Sequence, residues 1–226
     1  MTTNNRTALI VGATGLVGGY VLKLLLASPH YDKVIAVTRK PLTIEHPKLR
    51  QLVGSLDNTE EMVSDARVQA VDAFCGLGTT IKIAGSQVAF RKVDFDYVLK
   101  FARATQAAGA TRFMLVSAIG AAPLSKVFYS RVKGETEQAL GGLDFEALHI
   151  FRPGLLLGDR TDTRRGESVM MKLTPVLNPL MVGRASVYKS IRAEIVAAAM
   201  VAAAGTDATG RHVYTFNEMT RLAAKS

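Results

Sequence analysis

The amino-acid sequence predicts an α/β fold, a doubly wound parallel sheet with helices on both faces. Three observations carry that prediction. Short runs rich in strand-forming residues alternate with longer segments of helical periodicity, the pattern of βα units rather than of hairpins. The first run, Arg6 to Val11, stops at Gly12-Ala13-Thr14-Gly15-Leu16-Val17-Gly18, and a proline-free apolar segment with helical spacing follows, Leu16 to Ala27. The fourth run leads into a second glycine-rich turn, Cys75-Gly76-Leu77-Gly78-Thr79-Thr80.

The opening strand, turn and helix give the clearest physical signal. Gly12 suits a sharp turn off the strand, where φ is positive or a Cβ would collide. Gly15 lets the backbone approach a pyrophosphate, and Gly18 lets the helix lie close to the strands. The helix N-terminus adds unpaired N–H groups and the positive end of its dipole. Gly12, Thr14, Gly15, Leu16 and Val17 are therefore the expected contacts to the phosphate side of a dinucleotide.

Lys33 to Thr38 is predicted as the second strand. Dinucleotide sites that take NAD place an acid about 20 residues past the glycine turn, on the adenosine ribose. Here Thr38 holds that place and Arg39 and Lys40 follow. A carboxylate would repel a 2′-phosphate, whereas a guanidinium binds one with paired hydrogen bonds, so the pattern favours NADP(H) over NAD(H). Leu49 to Val53 is the third strand and Thr59 to Asp65 a polar helix. Between them Leu56 is expected as a flat apolar contact to the adenine, with Asp57 as a hydrogen-bonding candidate. Ala70 to Phe74 is the fourth strand. The turn after it, Cys75, Gly76, Leu77, Gly78 and Thr79, is assigned to the ribose and pyrophosphate, with the Cys75 thiol itself read as packing.

Asp94 to Ala108 has the apolar face of a helix, in Tyr97, Val98, Phe101, Ala104 and Ala108. The fifth strand, Arg112 to Val116, runs into Ser117, where parallel sheets bind ligands. Tyr129 and Lys133 then fall at i and i+4, on one face of a helix. An ammonium beside a phenol favours the phenolate, so Tyr129 can exchange a proton with a carbonyl or alcohol oxygen. Ser117 is expected to hold the same oxygen, and Lys133 also to bind the nicotinamide ribose. The competing reading is a surface tyrosine, with Lys133 paired to Glu137.

These motifs together resemble the atypical short-chain dehydrogenase/reductases. Within that family, the chain is similar to the branch of small NAD(P)H-binding proteins that includes the mammalian Tat-interacting oxidoreductase. The resemblance lies in Gly12-Ala13-Thr14-Gly15, Phe74 to Thr80, Val93-Asp94-Phe95-Asp96-Tyr97, Val116-Ser117-Ala118, Tyr129 to Glu135 and Phe151-Arg152-Pro153-Gly154. It implies a Rossmann-type NADPH-binding domain with Ser117, Tyr129 and Lys133 as the catalytic set. It also implies that Pro153, Gly154 and Leu155, after a sixth strand from Phe145 to Phe151, lie beside the nicotinamide. The asparagine that many dehydrogenases of this superfamily carry on the fourth helix has no match between Asp94 and Ala108. An NADPH-binding regulatory protein with little or no turnover is therefore the alternative to an NADPH-dependent enzyme.

The remaining chain sets the bounds. At 226 residues, 48% apolar and 21% charged, it is expected to form one domain, with 158–190 covering the substrate side of the cleft. Arg164 and Arg165 in that region are candidates for an acidic substrate or for a solvated loop. Ile191 to Ala204 is predicted as the final helix, Arg211 to Phe216 as the last strand, and the tail to Ser226 as frayed. The single Cys75 excludes an intrachain disulfide, and the four dispersed histidines suggest no metal site. With no signal-peptide pattern in Met1 to Asn5 and no apolar run long enough to span a bilayer, the expected location is the cytoplasm. The net charge of +9 is scattered, which favours a solvated basic surface over nucleic-acid binding. The expected partner is a small-molecule substrate, with oligomeric state left open to a homodimer.

Overall fold

The computed structural model describes residues 6–69, 72–158 and 187–225. Its centre is a sheet of seven strands, all paired in parallel: β1 (Arg6–Val11), β2 (Tyr31–Thr38), β3 (Leu49–Val53), β4 (Asp72–Cys75), β5 (Arg112–Val116), β6 (Ala147–Phe151) and β9 (Gly210–Tyr214). The order β3-β2-β1-β4-β5-β6-β9 reverses direction at β1 and β4, which opens a crevice at their C-terminal ends. Two short strands, β7 (Leu156–Leu157) and β8 (Ile191–Arg192), pair separately.

Both faces of the sheet are covered, so its strands read as continuous apolar runs rather than alternating ones. Ala8 and Ile10 of β1 pack toward α1 (Leu16–Ala27) and the alanine-rich α7 (Ala193–Ala204). Leu9 and Val11, pointing the other way, join the core under α2 (Thr59–Asp65), α5 (Tyr97–Ala107) and α6 (Phe128–Leu140). Phe74, Phe101, Phe113 and Phe151 are fully buried between these layers. Truncating any one of them to alanine removes a contact worth about 3–5 kcal/mol.

The N-terminal edge of the sheet is held by one carboxylate. Asp72, fully buried at the start of β4, accepts from Arg6 Nη2 at 2.6 Å, Tyr31 Oη at 2.7 Å and Arg112 Nε at 2.6 Å. Those residues open β1, β2 and β5, so four strands converge on one charge at the end of the sheet away from the crevice. Burial first, and then the field of Asp72, drive the Tyr31 phenol far above its ordinary range.

Several expected boundaries move. The helix read as starting at Asp94 begins earlier, as α4 (Gln87–Arg91), and passes through a π-type turn (Lys92–Asp96) into α5. Ser86 caps its start by accepting from the Ala89 N–H at 3.0 Å. A short α3 (Ile81–Ala84) precedes it. The expected frayed tail is instead α8 (Phe216–Ala223), opened by a capping box between Thr215 and Glu218 and anchored by the fully buried Met219. Phe216, read as the end of the last strand, starts that helix. The expected substrate-side region lies almost entirely outside the described residues, Arg164 and Arg165 with it.

Candidate active site

The crevice is built on three interlocked glycines. Gly12 leaves β1 with φ +80°, and a Cβ on it would meet Gly76 C at 2.5 Å and Leu77 N at 2.7 Å. A Cβ on Gly18 would strike the Gly12 carbonyl, and one on Gly76 would lie 3.1 Å from Gly18 Cα. The turns after β1 and β4 and the first turn of α1 therefore touch backbone to backbone. Gly15 differs: its nearest obstacle is Gly12 O at 3.1 Å, and Gly15 and Thr14 are exposed. Gly15 caps α1 without a side-chain bond, so the first-turn N–H groups after it are open to a ligand. At the end of β2, Thr38 Oγ1 is buried with no hydrogen-bond partner among the described residues, and Arg39 and Lys40 next to it are exposed. An open helix N-terminus and a glycine cradle fit the pyrophosphate of a dinucleotide.

Two expected contacts point elsewhere. Leu56 is 5% exposed and packs in the core under α2, so its side chain is not a free surface for an adenine. Asp57 binds Lys92 Nζ and Tyr97 Oη, each at 3.0 Å, and hydrogen bonding from Lys92 and then Tyr97 holds its carboxyl below the usual range. Cys75 is fully buried, and burial pushes its thiol up to about 12, which suits packing and excludes a thiolate nucleophile.

Ser117 follows β5, and Lys133 reaches the turn after β4, where a Cβ on Gly78 would stand 3.7 Å from its Nζ. Helix α6 presents Tyr129, Lys133 and Glu137 in one row, and Gly134 lets it press against the Ala122-Pro123 backbone. Tyr129 is half-buried, its ring tilted 44° against Phe90 at 5.4 Å. Lys133 is buried, with Nζ 2.8 Å from Asp94 Oδ1. Burial pushes the ammonium down, but the Asp94 carboxylate, helped by Tyr129, outweighs it and the group is held above the ordinary lysine range. Lys133 thus pairs with Asp94, not with Glu137.

Glu137 has its own partners, and they change the reading of Ser117. Ser117 Oγ donates to Glu137 Oε1 at 2.5 Å. Arg152 Nε and Nη2 donate to the same carboxylate at 2.9 and 2.5 Å, and Arg211 Nη2 at 3.2 Å. The expectation gave the serine proton to a substrate oxygen; the structure gives it to a buried carboxylate, and a hydroxyl has only one proton to donate. Pro153 lies beside the same strand ends, its carbonyl accepting from Ile119 N at 2.9 Å. Gly154 fits where a Cβ would meet Lys189 O at 2.6 Å, and Leu155 is 38% exposed.

Asp94 and Arg152 lie in the family-like motifs without assigned roles in the site, and Glu137 entered only as the competing partner of Lys133. Their partners lie on other elements, so spacing along the chain carries no signal for them.

Fold and site define a dinucleotide-binding domain of the Rossmann type, with a glycine cradle and a tyrosine–lysine pair at the crevice. The chain belongs to the NAD(P)H-binding family, which it matches over residues 12–207. It is 38% identical over 171 residues to Protein HTATIP2 of Rattus norvegicus, covering 74% of this chain and 70% of that protein. It is 36% identical over 180 residues to Protein FMP52-1, mitochondrial, of Scheffersomyces stipitis, covering 78% and 74%. For FMP52, mitochondrial, of Saccharomyces cerevisiae the figures are 35% over 159 residues, with 70% and 68% covered. The resemblance to the Tat-interacting branch of atypical dehydrogenase/reductases therefore holds. The cytoplasmic location does not: the fungal relatives are named as mitochondrial proteins, which overturns it.

Among solved structures, MoeE5 in complex with UDP-glucose and NAD superposes with a TM-score of 0.67 at 17% identity, over 97% of this chain and 81% of that one. A UDP-N-acetylglucosamine 4-epimerase from Methanobrevibacter ruminantium M1 gives 0.69 at 14%, over 97% and 80%. At such identities the likeness is one of fold. No helix among the described residues is long and apolar enough to cross a membrane.

Proposed function

We propose that this protein is an NADP(H)-dependent oxidoreductase acting on a carbonyl or alcohol substrate. The observation that carries the reading is the half-buried Tyr129 one helical turn from a buried Lys133, at strand ends bordering a glycine cradle. The bound cofactor supplies or accepts the hydride. In reduction Tyr129 Oη gives its proton to the carbonyl oxygen; in oxidation it takes the proton of the alcohol. The Lys133 ammonium beside it balances the negative charge of the phenolate formed in reduction. Ser117 fixes Glu137 and, through it, Arg152, so it shapes the wall of the site while Tyr129 engages the substrate oxygen. The exposed Arg39 and Lys40, with no acid at the end of β2, support NADP(H) over NAD(H).

The experiment is to titrate NADPH and NADH by fluorescence and then assay a carbonyl panel with wild type and Tyr129→Phe. The expected outcome is preferential NADPH binding in both proteins and a loss of about 10²–10⁴-fold in turnover in the variant. Equal rates for the two on every reactive substrate would remove the catalytic assignment. One observation favours a second reading, an NADPH-binding regulatory protein: the Ser117 proton is spent on Glu137. That reading expects tight NADPH binding and no turnover on the whole panel.

A further inference from the structure

We infer that Asp94 is a positioning residue for this chemistry: it keeps Lys133 an ammonium beside Tyr129 and fastens that lysine to the turn after β4. The inference rests on the reading of Tyr129 and Lys133 as the proton-handling pair. Asp94 sits within the π-type turn Lys92–Asp96, where the extra residue in the turn takes a side chain out of the ordinary α-helical row. Its carboxylate is fully buried and divided between two elements. Oδ1 lies 2.8 Å from Lys133 Nζ on α6, and Oδ2 accepts the Thr79 N–H at 3.0 Å from the turn after β4. The Asp94 carbonyl in turn accepts from Thr136 Oγ1 at 2.9 Å, one turn along α6 from Lys133. Gly78 lies over the pair, and a Cβ on it would stand 3.7 Å from both Asp94 Oδ1 and Lys133 Nζ.

A buried ammonium without a counter-charge gives up its proton. Among the described residues, the titratable groups that face Lys133 are Asp94 from the π-type turn, Tyr129 from α6 and Cys75 from β4, and of these only Asp94 is a carboxylate. Glu137, the next acid along the same face of α6, is taken up by Ser117, Arg152 and Arg211. Asp94 therefore supplies the charge that the lysine needs in order to act on the phenol. Because its other oxygen is bonded to Thr79, it also ties the position of that ammonium to the loop assigned to the cofactor.

The test is a pH titration of lysine Nζ by ¹⁵N NMR on the full chain, with the Lys133 signal assigned by its loss in Lys133→Met. In wild type Lys133 is expected to remain an ammonium at least to the pH at which exposed lysines lose their protons. In Asp94→Asn it is expected to lose its proton at about tenfold higher proton concentration or more, and Asp94→Glu to restore the wild-type behaviour. Where turnover is found, the alkaline limb of the kcat profile moves down with it in Asp94→Asn, with KM changed less than kcat. A wild-type Lys133 that titrates below the surface lysines overturns the inference without any variant having to fold. So does an Asp94→Asn titration indistinguishable from wild type. Absence of turnover in a wild-type protein whose Lys133 behaves as expected removes the reaction and leaves the role of Asp94 supported.

Discussion

Single residues in this crevice separate binding from folding. Gly15 and Gly18 are three apart on the same turn, yet their surroundings differ. Gly18 faces the Gly12 carbonyl so closely that a methyl group cannot enter without moving backbone. Gly15 has Gly12 O at 3.1 Å on one side and exposed space on the other. Gly18→Ala is expected to lower stability by about 1–3 kcal/mol in urea unfolding, the cost of overpacking. Gly15→Ala is expected to stay within about 1 kcal/mol of wild type and to weaken NADPH at least about tenfold, because the methyl occupies the phosphate approach. Equal losses of stability in the two would show that the turn is only structural. The glycine spacing and the tyrosine–lysine spacing were legible because each depends on local geometry alone. Leu56 was not, since an apolar residue in a loop reads the same whether it meets an adenine or the core. Ser117 was legible in place but not in partner, which lies 20 residues on, inside the next helix.

At the level of elements, the two ends of the sheet have different tasks. The N-terminal ends of β1, β2, β4 and β5 meet on Asp72, while the C-terminal ends carry the glycine turns and Ser117. Asp72→Asn leaves Arg6, Arg112 and the Tyr31 hydroxyl facing an amide that supplies a single acceptor. A loss of about 3–5 kcal/mol is expected in denaturant unfolding, as for a buried ion pair that has lost one partner, with NADPH affinity unchanged when measured below the transition. A comparable loss of cofactor affinity would show that the two ends are coupled. Helix α8 was readable and was missed: Thr215 and Glu218 have the spacing of a capping box, but the preceding apolar alternation carried the strand reading one residue into it. The π-type turn was not readable, because its extra residue is set by where Asp94 finds its partners.

Across the whole molecule, acid is expected to weaken the fold through a histidine in the sheet. His149 in β6 is fully buried, with Nδ1 2.8 Å from Tyr214 Oη and its ring stacked 5.3 Å from His212. Burial, and then the field of His212, push it from 6.5 down to about 4. The folded state therefore prefers the neutral ring. Its contribution is complete above the unfolded value of 6.5, and it is lost as pH falls through the interval down to about 4. His149→Gln is expected to flatten the fall in thermal midpoint over that interval; an unchanged slope would assign the acid sensitivity to the carboxylates. A different feature governs the far side of the crevice. The Glu137 carboxylate gathers Ser117 after β5, Arg152 after β6 and Arg211 of the edge strand β9 onto the helix that carries Tyr129 and Lys133. A shortened chain ending before residue 210 would still contain Ser117, Tyr129, Lys133, Asp94 and Glu137. Helix α6 would keep the Ser117 and Arg152 contacts to Glu137 but lose that of Arg211, so the last strand of the sheet helps hold the helix that carries Tyr129 and Lys133.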